Sequence, residues 1–110
     1  MTSPKRGDIF WVNLDPTIGS EMRKRRPCVV VSLSILNEKR LTVIAVPLST
    51  KGIPRPPLVV AVPSAGTNSN ARIDQIRVVD KIRLIEKEGE LDHTDMESVE
   101  GGLRTVLGLS

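Results

Sequence analysis

The residues best equipped for chemistry in this chain are arginines, an aspartate and hydroxyls set on loops and strand ends. In EMRKRRPCVVVS, residues 21–32, four cations (Arg23, Lys24, Arg25 and Arg26) run into Pro27 and an apolar β-branched stretch. Proline biases the residue before it toward extended backbone, and the strand behind anchors it, so Arg26 is the best held of the four. Arg23, Lys24 and Arg25 read as mobile loop cations. Thr50, beside Ser49, sits where a strand enters a proline-rich loop. Arg72 and Asp74 alternate onto one face of an expected strand, either as a functional pair or as a structural ion pair. Guanidinium forks bind oxyanions, a carboxylate can take a proton and a hydroxyl can donate a hydrogen bond. Together such groups can hold an anionic ligand and move a proton beside it.

The rest of the composition narrows the field. His93 is the only histidine, so an acid–base pair of histidines is impossible; amid Asp92 and Asp95 it reads as a surface or helix-capping residue. Cys28 is the only cysteine, which rules out a disulfide within the chain and a zinc cluster. Among Val29, Val30 and Val31 it reads as a small buried hydrophobe. Acidic residues of the first half are scattered, those of Glu86–Glu100 read as solvated, and no metal site is expected. No glycine-rich phosphate loop precedes a helix. With one Phe, one Trp and no Tyr, base recognition by a sheet of exposed aromatics is nearly excluded. No cofactor is expected.

Charge is uneven. Residues 1–55 hold ten Lys+Arg and four Asp+Glu, and residues 56–110 hold six and nine, so the halves carry about +6 and −3. A basic half suits a polyanion or an acidic partner. Met1–Ile9 has no apolar signal-peptide core and no apolar run approaches a membrane span, so a cytoplasmic protein is expected.

The elements that must position these residues are mostly strands. Ile9–Leu14, Cys28–Leu33, Leu41–Leu48, Leu58–Val62 and Ala71–Val79 are strand-like, with a further short strand at Ile82–Ile85. Cys28–Leu33, apolar but for Ser32, fits a strand buried on both faces. Pro47 argues for an edge or a bulge near the end of the third strand. Thr17–Pro27, Ser49–Pro57 and Ser64–Asn70 are loops, and Ser34–Arg40 is a turn or short helix. Thr94-x-x-Glu97 has the form of a capping box. Met96, Val99, Leu103, Val106 and Leu107 then recur at helical spacing, around a Gly101-Gly102 pair that lowers helicity but permits close packing. At 110 residues one domain is expected. The fold class is mainly β (α+β), a small barrel or curved antiparallel sheet with a C-terminal helix.

The ordered blocks RGDIFWVNLDPTIGSE, RPCVVVS, VPLST and RIDQIRVVDKIRL resemble the MazF/PemK/Kid toxins of bacterial toxin–antitoxin systems. The resemblance runs from Arg6 to the final helix. It implies the SH3-like, CcdB/PemK-like form of that fold and a homodimer. It also implies a metal-independent endoribonuclease acting on single-stranded RNA, with a cognate antitoxin covering the active site. The family's catalytic arginine falls on Arg26 and its catalytic threonine on Thr50. The Kid-type arginine and aspartate fall on Arg72 and Asp74. RNA contacts are then expected from Ser20, Glu21, Arg23, Lys24 and Arg25 in the first loop. Ser49, Lys51 and Arg55 would contribute from the second loop, and Gln75 and Arg77 from the strand beyond. Where Kid-type members carry a histidine in the Gly-x-Glu loop, this chain has Ser20.

The implied reaction is attack of a ribose 2′-OH on the adjacent phosphate, leaving a 2′,3′-cyclic phosphate and a 5′-OH. Asp74 is the candidate base, Arg26 and Arg72 would bind non-bridging oxygens, and Thr50 would hydrogen-bond the phosphate. Two other readings share the fold: a CcdB-like gyrase poison, and a catalytically silent module that binds RNA or an antitoxin.

Overall fold

The computed structural model describes residues 3–109. In chain order the elements are β1 (Asp8–Asn13), β2 (Arg25–Val30), α1 (Ser34–Lys39), β3 (Thr42–Ser49), β4 (Val59–Ala61), β5 (Asn70–Arg72), β6 (Arg77–Asp80), β7 (Leu84–Glu90) and α2 (His93–Val106). Single 3-10 turns lie at Pro63–Ala65, Ile73–Gln75 and Lys81–Arg83. The sheet is antiparallel in the order β4-β5-β3-β2-β1-β7, with β6 also paired to β3.

Chain connectivity forces this sheet to curve. β6 lies on β3 and β7 on β1, so β3, β2 and β1 stand between them. In a flat sheet four strand spacings would separate β6 from β7 by about 19 Å. The chain from Asp80 to Leu84 can reach only about 14 Å. The two strands do not pair with each other, so the structure is a strongly curved open sheet rather than a closed barrel.

The period-2 alternation of β1, β2 and β3 gives each of them two buried faces. One face carries Ile9, Val29, Val46 and Leu48, covered by Val60, Val62, Ile73 and the helix residues Met96 and Val99. The other carries Val12, Leu14, Cys28, Val30, Val43 and Ala45, closed over by Val79. Cys28, Val29 and Val30 are all buried, as the unbroken apolar run requires.

Burial in this second core pushes the Cys28 thiol up to about 12, against weaker lowering by the nearby charges of Arg77 and Arg26. An unfolded thiol titrates near 9. The folded state is therefore favoured by the protonated thiol below that value, and this contribution is lost as pH rises from 9 toward 12. Unfolding titrations of the wild-type protein should show a fall of a few kcal/mol over this window that the Cys28→Ala variant lacks.

Three local expectations are corrected. First, β2 runs from Arg25 to Val30 rather than from Cys28 to Leu33: it stops short of Leu33, which is exposed at the start of α1, and it passes through Pro27. Proline is tolerated there because β3 pairs only with Cys28–Val30, leaving Pro27 bonded on one side alone. Second, Ala71–Val79 is not one strand. Leu48 pairs with Ala71 and Ala45 with Arg77, so the two β3 residues between these pairs, Val46 and Pro47, stand against five of the partner, Arg72 to Ile76. The surplus is taken up by the Ile73–Gln75 turn, opposite the region of Pro47. Pro47 itself stays in register with Cys28 of β2 and stands in the gap between the β5 and β6 ladders, so β3 is a central strand there, not an edge. Arg72 and Asp74 consequently do not alternate along a common strand face. Third, the α2 N-cap is Asp92, whose carboxylate accepts the Asp95 N–H at 2.8 Å, rather than Thr94. Buried Asp95 in turn accepts from the Ser64 N–H and hydroxyl, and Ser64 Oγ accepts the Asp92 N–H. This closed ring fixes the helix start to the turn at Pro63–Ala65.

The glycine pair also divides. A Cβ on Gly102 would lie 3.0 Å from Ile73 Cγ1 and 3.1 Å from the Pro57 carbonyl oxygen, whereas one on Gly101 meets nothing within 4 Å. Gly102→Ala should destabilise the fold by about 1–3 kcal/mol through overpacking. Gly101→Ala should stabilise it by roughly 0.5–1 kcal/mol through helix propensity. Denaturant melts of the two variants check both signs.

Candidate functional site

The face of the sheet that packs on α2 extends beyond the helix and lies open near the Pro63–Ala65 turn. There a cleft of about 340 Å³ is bordered by Trp11, Arg25, Arg26, Pro27, Leu48, Ser49, Thr50, Lys51, Ala65 and Ser69. It collects residues from β1, the start of β2 and the end of β3, far apart in sequence. Two smaller-scale features shape its chemistry: a run of cations entering β2, and an unbonded hydroxyl at the end of β3.

Arg25 and Arg26 are both strand residues. Arg25 stands opposite Asn13 and Arg26 opposite Val12. Alternation places Arg25 with Pro27 on the Trp11 side, and Arg26 with Cys28 on the side of the second core. Arg26 Nε donates to the Arg23 carbonyl at 3.1 Å, which ties its side chain to the end of the loop before β2. Arg25 has no hydrogen bond or ion pair among the described residues. The expectation that Arg25 lies in the loop is thus corrected: it is the first residue of β2, with an exposed side chain. Arg23 and Lys24 remain exposed loop cations.

Thr50 and Ser49 differ sharply. Ser49 is 7% exposed, and its hydroxyl accepts the Lys51 N–H at 3.1 Å. Thr50 is exposed, and its hydroxyl has no partner among the described residues. Ser49 therefore shapes the turn that presents Thr50. Arg72 holds the same turn from below: its Nη2 donates to the Lys51 carbonyl at 2.7 Å. The Arg72 Nε is buried without a partner. No ion pair links Arg72 to Asp74, which is exposed on the Ile73–Gln75 turn and does not border the cleft. Arg55 lies in the β3–β4 connection, where its backbone pairs with Val59, and it does not border the cleft either.

The segment after β5 clamps the long β1–β2 loop. Gln75 Oε1 accepts the Met22 N–H at 3.0 Å. Arg77 Nη1 donates to the Leu14 carbonyl at 3.3 Å. Arg83 Nη1 donates to the carbonyls of Asn13 and Asp15. Gln75 and Arg77, expected as RNA contacts, each make one bond here to a backbone group of the loop that delivers Arg25 and Arg26. Within the loop Glu21 accepts the Ile18 N–H at 2.7 Å, and Ser20 is exposed. Removing the Gln75 acceptor should free one loop amide. Gln75→Ala should speed hydrogen exchange at the Met22 amide by roughly tenfold while the core amides of β2 stay protected.

Trp11 and Ser69 were not among the residues picked from sequence. Trp11 lies half-buried on the cleft floor, with its Nε1 donating to Glu88. The available signal was its place in the β1 alternation: the one Trp of the chain, flanked in pattern by buried Ile9 and exposed Asn13. Among the described residues no group of three or more His, Cys, Asp or Glu is placed to hold a metal ion. No helix among them is long and apolar enough to cross a membrane.

Comparison with known proteins gives this geometry a context. Endoribonuclease MazF6 of Mycobacterium tuberculosis is 33% identical over 110 residues, covering 94% of this chain and 96% of the relative. The crystal structure of MazF from Deinococcus radiodurans superposes with a TM-score of 0.86 at 28% identity, covering 96% of this chain and 97% of that one. An endoribonuclease in complex with its cognate antitoxin, from a mycobacterial species, superposes with a TM-score of 0.80 at 28% identity, covering 100% and 98% of the two chains. Residues 5–107 match the family described as PemK-like, MazF-like toxin of type II toxin-antitoxin system. The chain with the curved sheet and the Arg25–Arg26–Thr50 cleft belongs to that toxin family.

Proposed function

We propose that this protein is an endoribonuclease toxin that cuts single-stranded RNA at the cleft bordered by Arg25, Arg26 and Thr50. The observation that carries the reading is the meeting, at the border of one cleft, of two arginines of β2 and an unbonded hydroxyl. Full-length relatives named as endoribonucleases support it. A guanidinium fork binds two phosphate oxygens at once, and a fixed hydroxyl can donate to a third. The ribose 2′-oxygen attacks phosphorus as the P–O5′ bond breaks. The 2′-OH proton leaves to a base and the 5′-oxygen takes one up, so no water is consumed in the first step. The groups of the cleft act by holding the reacting atoms in line and by stabilising the extra negative charge on phosphorus. Arg72 supports the Thr50 turn. Asp74 stands outside the cleft, and no step is given to it.

The same reading makes the protein a cytoplasmic growth inhibitor acting as a homodimer. A cognate antitoxin with an acidic segment would neutralise it by covering the basic rim of Arg23, Lys24, Arg25 and Lys51. A mycobacterial structural relative is seen with its antitoxin, which supports this. The test is incubation with a long single-stranded RNA in EDTA. Fragments bearing 5′-OH and 2′,3′-cyclic phosphate ends are expected. Intact RNA together with trapped gyrase–DNA complexes would overturn the reading in favour of a gyrase poison.

A further inference from the structure

The cleft does not end at Arg25. A hollow of about 260 Å³ is bordered by Trp11, Arg25, Ile85 and Glu86. Next to it a larger hollow of about 400 Å³ is bordered by Asn13, Asp15, Arg25, Ile82, Arg83 and Ile85. Trp11 and Arg25 are shared between the cleft and the first hollow, and Arg25 and Ile85 between the two hollows. The three form one groove crossing β2, β1 and β7, with the unpaired Arg25 guanidinium common to all of it.

The far hollow has the makings of a base pocket. Its apolar wall is Ile82, 90% exposed, and Ile85, 47% exposed. Its polar side is Asn13 and Asp15. Asn13 Oδ1 accepts the Asp15 N–H at 3.2 Å, which leaves the Nδ2 donors free among the described residues. One Asp15 oxygen has a long contact of 3.4 Å with the Thr17 hydroxyl, and the other has no partner among them. Arg83 fixes the backbone of both residues. The pocket thus offers a held acceptor and a held donor beside an apolar surface, next to a cation suited to a phosphate. Its volume falls in the lower part of the roughly 300–1,000 Å³ range of ligand pockets.

We propose that the hollow formed by Asn13, Asp15, Arg25, Ile82 and Ile85 is a nucleobase subsite that accepts a base bearing an amino group and rejects uracil at one position flanking the cut. This rests on the endoribonuclease reading above. The exocyclic amino groups of adenine, cytosine and guanine donate to a carboxylate, and each has a neighbouring acceptor for the Asn13 amide. Uracil has no amino group, and its two carbonyls flank its single N–H, so they would face the Asp15 carboxylate. Arg25 would hold the phosphate that links this nucleotide to the scissile one.

The test is cleavage of a random-sequence RNA library, with capture of the new 5′-OH ends, by wild-type, Asp15→Asn and Ile82→Ala proteins of matched thermal stability. The wild type should disfavour uracil at one flanking position by on the order of tenfold. Asp15→Asn, which offers both donor and acceptor, should erase that bias and leave the other positions unchanged. Ile82→Ala should raise KM severalfold with the same base preference. If both variants reproduce the wild-type profile and KM, the subsite is wrong. It is equally wrong if Asp15→Asn blurs every position, since that marks a loop support. A wild-type protein that leaves the library intact overturns the endoribonuclease reading, and the subsite with it.

Discussion

Arg26→Ala is expected to leave a folded protein whose RNA cleavage falls by roughly 10²–10³ or more, the usual cost of removing one well-aimed group that stabilises transition-state charge. Folding should survive because Arg26 makes one side-chain bond, to the Arg23 carbonyl, and its strand is anchored by the buried Cys28, Val29 and Val30. Arg26→Lys keeps the charge but loses the planar fork, so it should restore only part of the rate. Arg25→Ala is the informative partner. Its guanidinium borders the whole groove rather than the Thr50 end alone. It should therefore raise KM and flatten the salt dependence by about one phosphate contact, with kcat less affected. Single-turnover and steady-state kinetics on one defined RNA separate the two. If Arg25→Ala abolishes the chemical step and Arg26→Ala spares it, the assignment of the two arginines is reversed.

Thr50→Ala is expected to lose a similar factor of roughly 10²–10³ in kcat, with melting unchanged. Its exposed hydroxyl supports no part of the fold, so nothing but ligand chemistry is lost. Thr50→Ser should retain most activity. Ser49→Ala should behave in the opposite way. Its buried hydroxyl accepts the Lys51 N–H, so its loss should cost about 1 kcal/mol of stability. Any loss of rate should come only from a looser turn. Equal kinetic defects in Thr50→Ala and Ser49→Ala, with equal stabilities, would refute the division of labour between the two hydroxyls.

Much of the fold was legible because its signals are local. The unbroken apolar run at Cys28 foretold a strand buried on both faces, and the spacing of Met96, Val99 and Leu103 foretold the face of α2. The errors share a different cause. Whether Ala71–Val79 is one strand depends on what β3 offers it. There two residues of β3 stand against five of the partner, a mismatch invisible in either segment alone. The α2 cap went to Asp92 because Ser64, distant in sequence, completes its hydrogen bonds. Arg26 and Thr50 were reached through motif resemblance, and the structure brings them to one cleft. Arg72, Gln75 and Arg77 carry the same charges and amides that RNA contacts would need. Only geometry shows that each of them also bonds a backbone carbonyl or amide. Trp11 was missed because one aromatic in a strand ordinarily means core.

Because β1, β2 and β3 are buried on both faces, the same three strands that bound the cleft also divide the two cores. Arg26 emerges on one side of that partition and Arg25 on the other. The cleft is consequently a gauge of how the two cores sit against each other. A substitution deep in either one, tilting β2 slightly against β3, would misalign the guanidiniums and the Thr50 hydroxyl before it unfolded anything. Inhibitors of such a molecule need not reach the cleft: wedging either core open is enough to detune it.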